Sequence, residues 1–314
     1  MMESDYAACR LCPRVCGVNR LAGQRGICGE TAVCRIASAE PHFGEEPPFT
    51  GQRGSGTIFF SGCSCRCFFC QNYQISQGGI GSERTFEALV AEAERLIAKG
   101  VHNLNFVTPD HFWPHVAALG EELRRRGHTI PLLWNSSGYH RPERIAEYAA
   151  VIDIFLPDFK FADPALAKRV MGDSRYPELA LEALRQMVQA KGFLEPFDEE
   201  GSETARRGVL VRHLVLPGFV ENSMAVLRLL HRTFGPDLPL SLMSQFRPVP
   251  ACRQRGFLDR RVRPDEYQQV CDEAERLGFR RAFIQPEPGD PGFFPDFERE
   301  EPFEGNRRAA ADNA

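Results

Sequence analysis

Four of the 11 cysteines fall within eight residues, in the stretch Ser61-Gly62-Cys63-Ser64-Cys65-Arg66-Cys67-Phe68-Phe69-Cys70-Gln71-Asn72. They follow Gly56-Thr57-Ile58-Phe59-Phe60, β-branched and aromatic residues that read as a short buried strand. A cysteine loop at a strand's C-terminal end constrains everything around it, because thiolates select iron–sulfur clusters and zinc. Cys63, Cys67 and Cys70 are spaced C-x3-C-x2-C. A structural zinc or a purely electron-carrying cluster wants four protein ligands, whereas three on a four-iron cluster leave one iron open to a ligand or reactant. Cys65 creates a rival spacing, C-x-C-x-C-x2-C; we read it as a spectator.

A second group, Cys9, Cys12, Cys16 and Cys28, is spaced C-x2-C-x3-C-x11-C, with Cys34 beyond it. The segment is rich in Gly and Arg and poor in large apolar residues, so it needs a cross-link in place of a core. Residues 1 to about 40 therefore read as a small metal-bound module. Four thiolates suit either a [4Fe–4S] cluster or tetrahedral zinc; the neighbouring loop favours iron–sulfur, and Cys34 is not counted as a ligand.

At 314 residues the chain accommodates one large α/β domain and an appendage. With 38 basic and 42 acidic residues the net charge is −4, which gives no electrostatic bias towards nucleic acid. No apolar run reaches the roughly 20 residues of a membrane span, and the start Met1-Met2-Glu3-Ser4-Asp5 is unlike a signal peptide. The expected location is the cytoplasm, where clustered cysteines point to metal rather than disulfides.

Residues Phe86, Leu89, Val90, Ala93, Leu96 and Ile97 recur at helical spacing, predicting a helix over 85–99 with Thr85 as N-cap and Gly100 at the stop. Further helices are expected over 114–126, 141–150, 179–191, 223–234 and 265–277. They alternate with strands at 57–60, 103–107, 130–134, 152–156, 209–216 and 240–243, with 281–284 as an extra edge strand. Six strands with intervening helices imply a parallel sheet, either doubly wound or closed towards a barrel. The stretch 42–54, rich in Pro and Gly, reads as an extended surface linker whose His42, Glu45 and Glu46 are candidates to reach a site. Residues 193–208 read as a mobile polar insertion.

The cysteine loop, Tyr6 to Cys28, His42-Phe43-Gly44-Glu45-Glu46-Pro47, Gly54-Ser55-Gly56-Thr57, Val107-Thr108-Pro109 and Arg212-His213-Leu214-Val215-Leu216-Pro217 together carry a resemblance. The chain resembles the radical S-adenosylmethionine (SAM) proteins related to the pyruvate formate-lyase activating enzyme, from about Tyr6 to about Phe279. That resemblance implies a partial (β/α)6 TIM-type barrel over 57–285, preceded by the Cys-rich module and linker at 1–56 and followed by a disordered tail at 286–314. It also implies a [4Fe–4S] cluster on Cys63, Cys67 and Cys70 whose open iron takes the SAM amino and carboxylate groups. An external electron donor, flavodoxin or ferredoxin, and a substrate that donates hydrogen complete the expected set; an activase-like role would make that substrate a protein.

In parallel α/β folds ligands sit outside the carboxyl ends of the strands. There the chain places Thr108, Asn135 and Ser136, Asp158 and Lys160, and Arg212. Arg212 suits the SAM carboxylate because its guanidinium stays charged and bonds bidentately. By resemblance, Asn135 to Ser137 and Asp158 to Lys160 correspond to ribose-side turns, and Thr108 replaces a Gly-Gly-Glu turn. Asp158 and Lys160 as a plain rim ion pair is the competing reading. His213 alternates with Arg212 along its strand and so faces the other way. The rival functions are a non-catalytic iron–sulfur protein for electron transfer or redox sensing, favoured if Cys65 closes the open iron, and, more weakly, a zinc-ribbon nucleic-acid binder.

Overall fold

The computed structural model describes residues 2–286 and 291–306 of the chain. Its strands are β1 Arg35–His42, β2 Ser55–Phe60, β3 Ser82–Glu83, β4 Leu104–Val107, β5 Leu132–Ser136, β6 Ile154–Pro157, β7 Gly208–Val209, β8 Val211–Leu214, β9 Leu240–Met243 and β10 Ala282–Ile284. Its helices are α1 Met2–Ala7, α2 Pro47–Thr50, α3 Tyr73–Ser76, α4 Phe86–Ala98, α5 Trp113–Arg125, α6 Ile145–Val151, α7 Pro164–Met171, α8 Tyr176–Lys191, α9 Val220–Phe234, α10 Pro250–Arg255 and α11 Pro264–Leu277.

β2, β4 and β6 are buried along their whole length, as expected of central parallel strands covered on both faces. α4 packs Leu89, Val90, Ala93 and Leu96 inward, and Thr85 caps it by accepting from the Ala88 amide at 3.2 Å. One sheet runs β3-β1-β2-β4-β5-β6-β7 and a second β10-β9-β8; β2 to β7 pair in parallel, as do β8 to β10. A single bridge, Asp158 to Arg212, joins the sheets. The result is an α/β fold with a mostly parallel sheet, the arrangement of a partial barrel.

Several expectations need correction. The stretch 42–54 is not a surface linker: β1 carries residues 35–42 into the main sheet by antiparallel pairing with β2, and Phe49 on α2 is fully buried. The apolar Phe49 wins over the Pro- and Gly-rich composition, and the Asn103 side chain secures its carbonyl at 2.9 Å. The fifth strand is split at Leu210 into β7 and β8. The 193–208 insertion is tied down by Glu195–Arg207 pairing, with Leu194 and Ala205 buried. The expected disordered tail is ordered over 291–306, where Phe297 and Phe303 pack on Phe59 with centroids 5.3 Å away in both cases. The rest of that tail, 287–290 and 307–314, lies outside the described residues.

Candidate active site

A cavity of about 460 Å3 opens at the C-terminal ends of the parallel strands. Cys63, Cys65, Cys67 and Cys70 line one wall, in the loop that leaves β2. Thr108, Asn135, Ser136, Asp158, Lys160 and Arg212 line it from the ends of β4, β5, β6 and β8. All six candidate polar residues and all three C-x3-C-x2-C cysteines thus meet around one space. Cys65 shares the wall, its sulfur 3.9 Å from Met171 Sδ and also within hydrogen-bond reach of the Cys67 and Ser137 side chains.

The loop is bent by Arg66, which adopts a positive φ of 50° immediately before Cys67. Backbone amides support the sulfurs: Cys65 donates to Cys63 Sγ at 3.3 Å, and Asn72 donates to Cys70. Burial pushes the Cys63 and Cys70 thiols above their ordinary range, so an unneutralised thiolate is disfavoured there. Thr108 has a φ of 53°, a strained conformation for a β-branched residue, held by its amide donating to Asn135 O at 2.8 Å.

Arg212 is the centre of the opposite wall. Its Nε donates to Glu46 Oε1 at 2.8 Å, and its Nη2 donates to both Glu45 and Glu46. Glu45 is also held by Asn105 Nδ2 at 2.8 Å and Asn135 Nδ2 at 3.3 Å. Burial works against charge on Glu45, yet Arg212 overcomes it and holds the carboxyl below its usual range. This acid pair comes from the stretch read as a linker. Its signal in sequence is two adjacent acids flanked by apolar residues, and their pairing with Arg212 across more than 160 residues is invisible to local pattern.

Lys160 pairs with Asp158, both side chains being mostly buried, so this is more than a rim pair. Burial opposes the lysine's charge, but Asp158 and the nearby Cys67 raise its pKa overall. His213 faces away as expected: its ring bonds Phe159 O at 2.7 Å and Ser223 Oγ at 2.8 Å.

Cys9, Cys12 and Cys28 are buried and Cys16 partly so, in the N-terminal module. Cys28 lies within electrostatic reach of Cys9 and Cys16, and Cys12 within reach of Cys28 and Cys9. Among the described residues no three Cys, His, Asp or Glu side chains gather tightly enough to hold a single metal ion, here or at the Cys63 loop. A cubane places its thiolates on separate irons and does not ask for that convergence.

The family model of the radical SAM superfamily matches residues 57–229, which is more than half of the chain and spans the barrel from β2 to α9. The chain belongs to the radical SAM superfamily. The uncharacterized protein MJ0674 of Methanocaldococcus jannaschii is 27% identical over 286 residues, covering 87% of this chain and 76% of the relative. Among solved structures, methylornithine synthase (PylB) aligns with a TM-score of 0.48 and 13% identity over 80% of this chain and 78% of that one.

Radical SAM proteins are enzymes of radical chemistry that use a [4Fe–4S] cluster, SAM and an electron donor. The donor set here fits such a cluster: two buried thiols and one partly buried on one wall, amide donors to sulfur, and a buried Asn72 Oδ1 in the same wall that has no partner in the protein. Among the described residues no helix is long and apolar enough to cross a membrane.

Proposed function

We propose that this radical SAM enzyme holds its cluster on Cys63, Cys67 and Cys70, with Cys65 a spectator, and seats SAM against Arg212, Asp158, Lys160, Asn135, Ser136 and Thr108. The observation that carries the reading is the sharing of one cavity by those three thiols and by polar side chains from β4, β5, β6 and β8 or the turns that follow them. When bound, the reduced cluster supplies the electron that splits SAM into methionine and a 5′-deoxyadenosyl radical, which takes hydrogen from the substrate.

Arg212 offers a fixed cation for the SAM carboxylate, pre-set by Glu45 and Glu46. Asp158, paired with Lys160, offers its carboxylate to the ribose hydroxyls. Asn135 and Ser136 add amide and hydroxyl groups at the adjacent turn. Phe59, Phe69 and Phe246 make an apolar lining that keeps water from the reactive carbon. The narrower form of the reading is activase-like, with hydrogen taken from a glycine of a partner protein.

The test is anaerobic reconstitution followed by dithionite and SAM. Formation of 5′-deoxyadenosine is expected; a fully loaded cluster that yields none overturns the reading in favour of a non-catalytic iron–sulfur protein.

A further inference from the structure

The N-terminal module repeats, in miniature, the local geometry of the Cys63 loop. Both contain a C-x3-C turn, Cys12 to Cys16 and Cys63 to Cys67. In both, the residue just before the second cysteine takes a positive φ, Val15 at 42° and Arg66 at 50°. That is costly for a β-branched valine and serves to turn two neighbouring sulfurs towards one point. In both, a backbone amide two residues on donates to a cysteine sulfur: Arg14 to Cys12 and Glu30 to Cys28 in the module, Cys65 to Cys63 and Asn72 to Cys70 in the loop. Amide donors of this kind lower the cost of a buried thiolate and tune a cluster's potential.

The module's sulfurs are also neighbours, at a spacing wider than a single ion would need. A Cβ at Gly26 would lie 2.8 Å from Cys16 Sγ and 3.8 Å from Cys28 Sγ, so those two sulfurs face the same spot. Cys9 and Cys12 are within electrostatic reach of Cys28. Beside them sits Arg20, 1% exposed, which donates to Thr31 O at 2.6 Å, to His111 O at 2.5 Å and to Cys9 Sγ at 3.8 Å. No carboxylate pairs with it among the described residues. A buried guanidinium is expensive without a counter-anion, and four metal-bound thiolates would supply one.

The module is bolted to the Cys63 loop. The Cys63 amide donates to Cys28 O at 3.3 Å; Arg14 donates to Ser64 O at 3.0 Å and Cys65 O at 3.1 Å; Arg66 donates to Ile27 O at 3.3 Å. Gly62 permits this approach, since a Cβ there would be 2.7 Å from Cys28 O.

We infer that Cys9, Cys12, Cys16 and Cys28 bind a second iron–sulfur cluster, of the [4Fe–4S] type, which exchanges electrons with the cluster on the Cys63 loop. One electron enters from a low-potential one-electron donor of the flavodoxin or ferredoxin class, reduces the module's cluster, and passes on to its neighbour. No bond forms or breaks in that transfer, and the module's cluster returns to its oxidised state. The exchange rests on the radical SAM reading; the occupancy of the module does not.

The experiment counts iron, sulfide and zinc in the full chain after anaerobic reconstitution, alone and as C63A/C67A/C70A and C12A/C28A. About eight irons are expected in the parent and about four in each variant, without zinc. The C63A/C67A/C70A variant should lose 5′-deoxyadenosine formation while keeping its irons, which separates this proposal from the reading of the barrel site. On reduction, the parent's EPR spectrum should be broadened by interaction between two neighbouring spins, and each variant's should not. One zinc in the C63A/C67A/C70A variant, or no metal in it, overturns the cluster assignment. Should that variant fail to fold, about four irons in the parent, all retained by C12A/C28A, would overturn it equally. Eight irons without spin interaction would overturn the electron exchange.

Discussion

Arg212 on β8 and Glu46, 166 positions earlier in the chain, form a fork-to-fork pair inside the cavity, with Nε to Oε1 at 2.8 Å. The pair fixes the guanidinium's orientation, with Glu46 on its Nε–Nη2 edge and Glu45 on Nη2, so a SAM carboxylate at Arg212 would take the remaining edge or displace one of these acids. R212K keeps the charge but loses the fork. Its SAM dissociation constant should rise about tenfold, or ~1.4 kcal/mol, in equilibrium binding to the reconstituted protein. An unchanged constant would remove Arg212 from the SAM contacts.

Cys65 and Cys67 are both buried and only two residues apart, yet they should behave oppositely. C65S should keep the loop's iron and its 5′-deoxyadenosine formation, because the proposed ligand set is the C-x3-C-x2-C triad and leaves that sulfur out. C67S should lose both. Iron analysis with product chromatography on the two variants decides which thiols serve.

Buried histidines set an acid limit on the fold. Burial lowers the pKa of His213 to about 4 despite its bond to Phe159 O, and lowers those of His111 and His115 to about 4 as well. Between that value and about 6.5 the unfolded chain binds more protons than the folded one. The stability these neutral rings contribute is therefore complete above pH 6.5 and is lost as pH falls towards 4. For His213 alone the loss is at most about 3 kcal/mol. Urea unfolding across this window should show a shallower pH slope in H213Q than in the parent.

Gly138, just after β5, has a φ of 71° and lies against the Asp158 carbonyl, 2.0 Å from where a Cβ would be. G138A should cost at least about 2 kcal/mol in denaturant unfolding, from left-handed strain and the clash together. It should also weaken SAM binding, because relief requires the Asp158 turn to move.

The longer helices and the parallel strands were legible because their apolar periods are strong, whereas the short α7 and α10 were not. α4 with its Thr85 cap and β9 at Leu240–Met243 lie where spacing places them. The cysteine loop was legible because metal-binding chemistry is local. What escaped depends on distant partners. Glu45 and Glu46 stand out as candidates to reach a site, but their pairing with Arg212 does not, and Phe303 looks like part of a loose tail until Phe59 offers it a ring. β1 contains Pro41 and polar residues, and only its pairing with β2 makes it a strand. The division of the fifth strand at Leu210 had no composition signal at all.

That division has its own mechanical consequence. Among the described residues Asp158 bridges to Arg212 across the two sheets, with Phe159 N donating to Arg212 O at 2.7 Å beside it and Leu210 N donating to Phe155 O at 3.1 Å at the joint. The chain itself runs through Leu210 from one sheet to the other, and a small molecule bridging Asp158 and Arg212, as proposed for SAM, would act as a suture across that seam. Filling the cavity would then do more than occupy it: it would set the curvature at which the two halves are held.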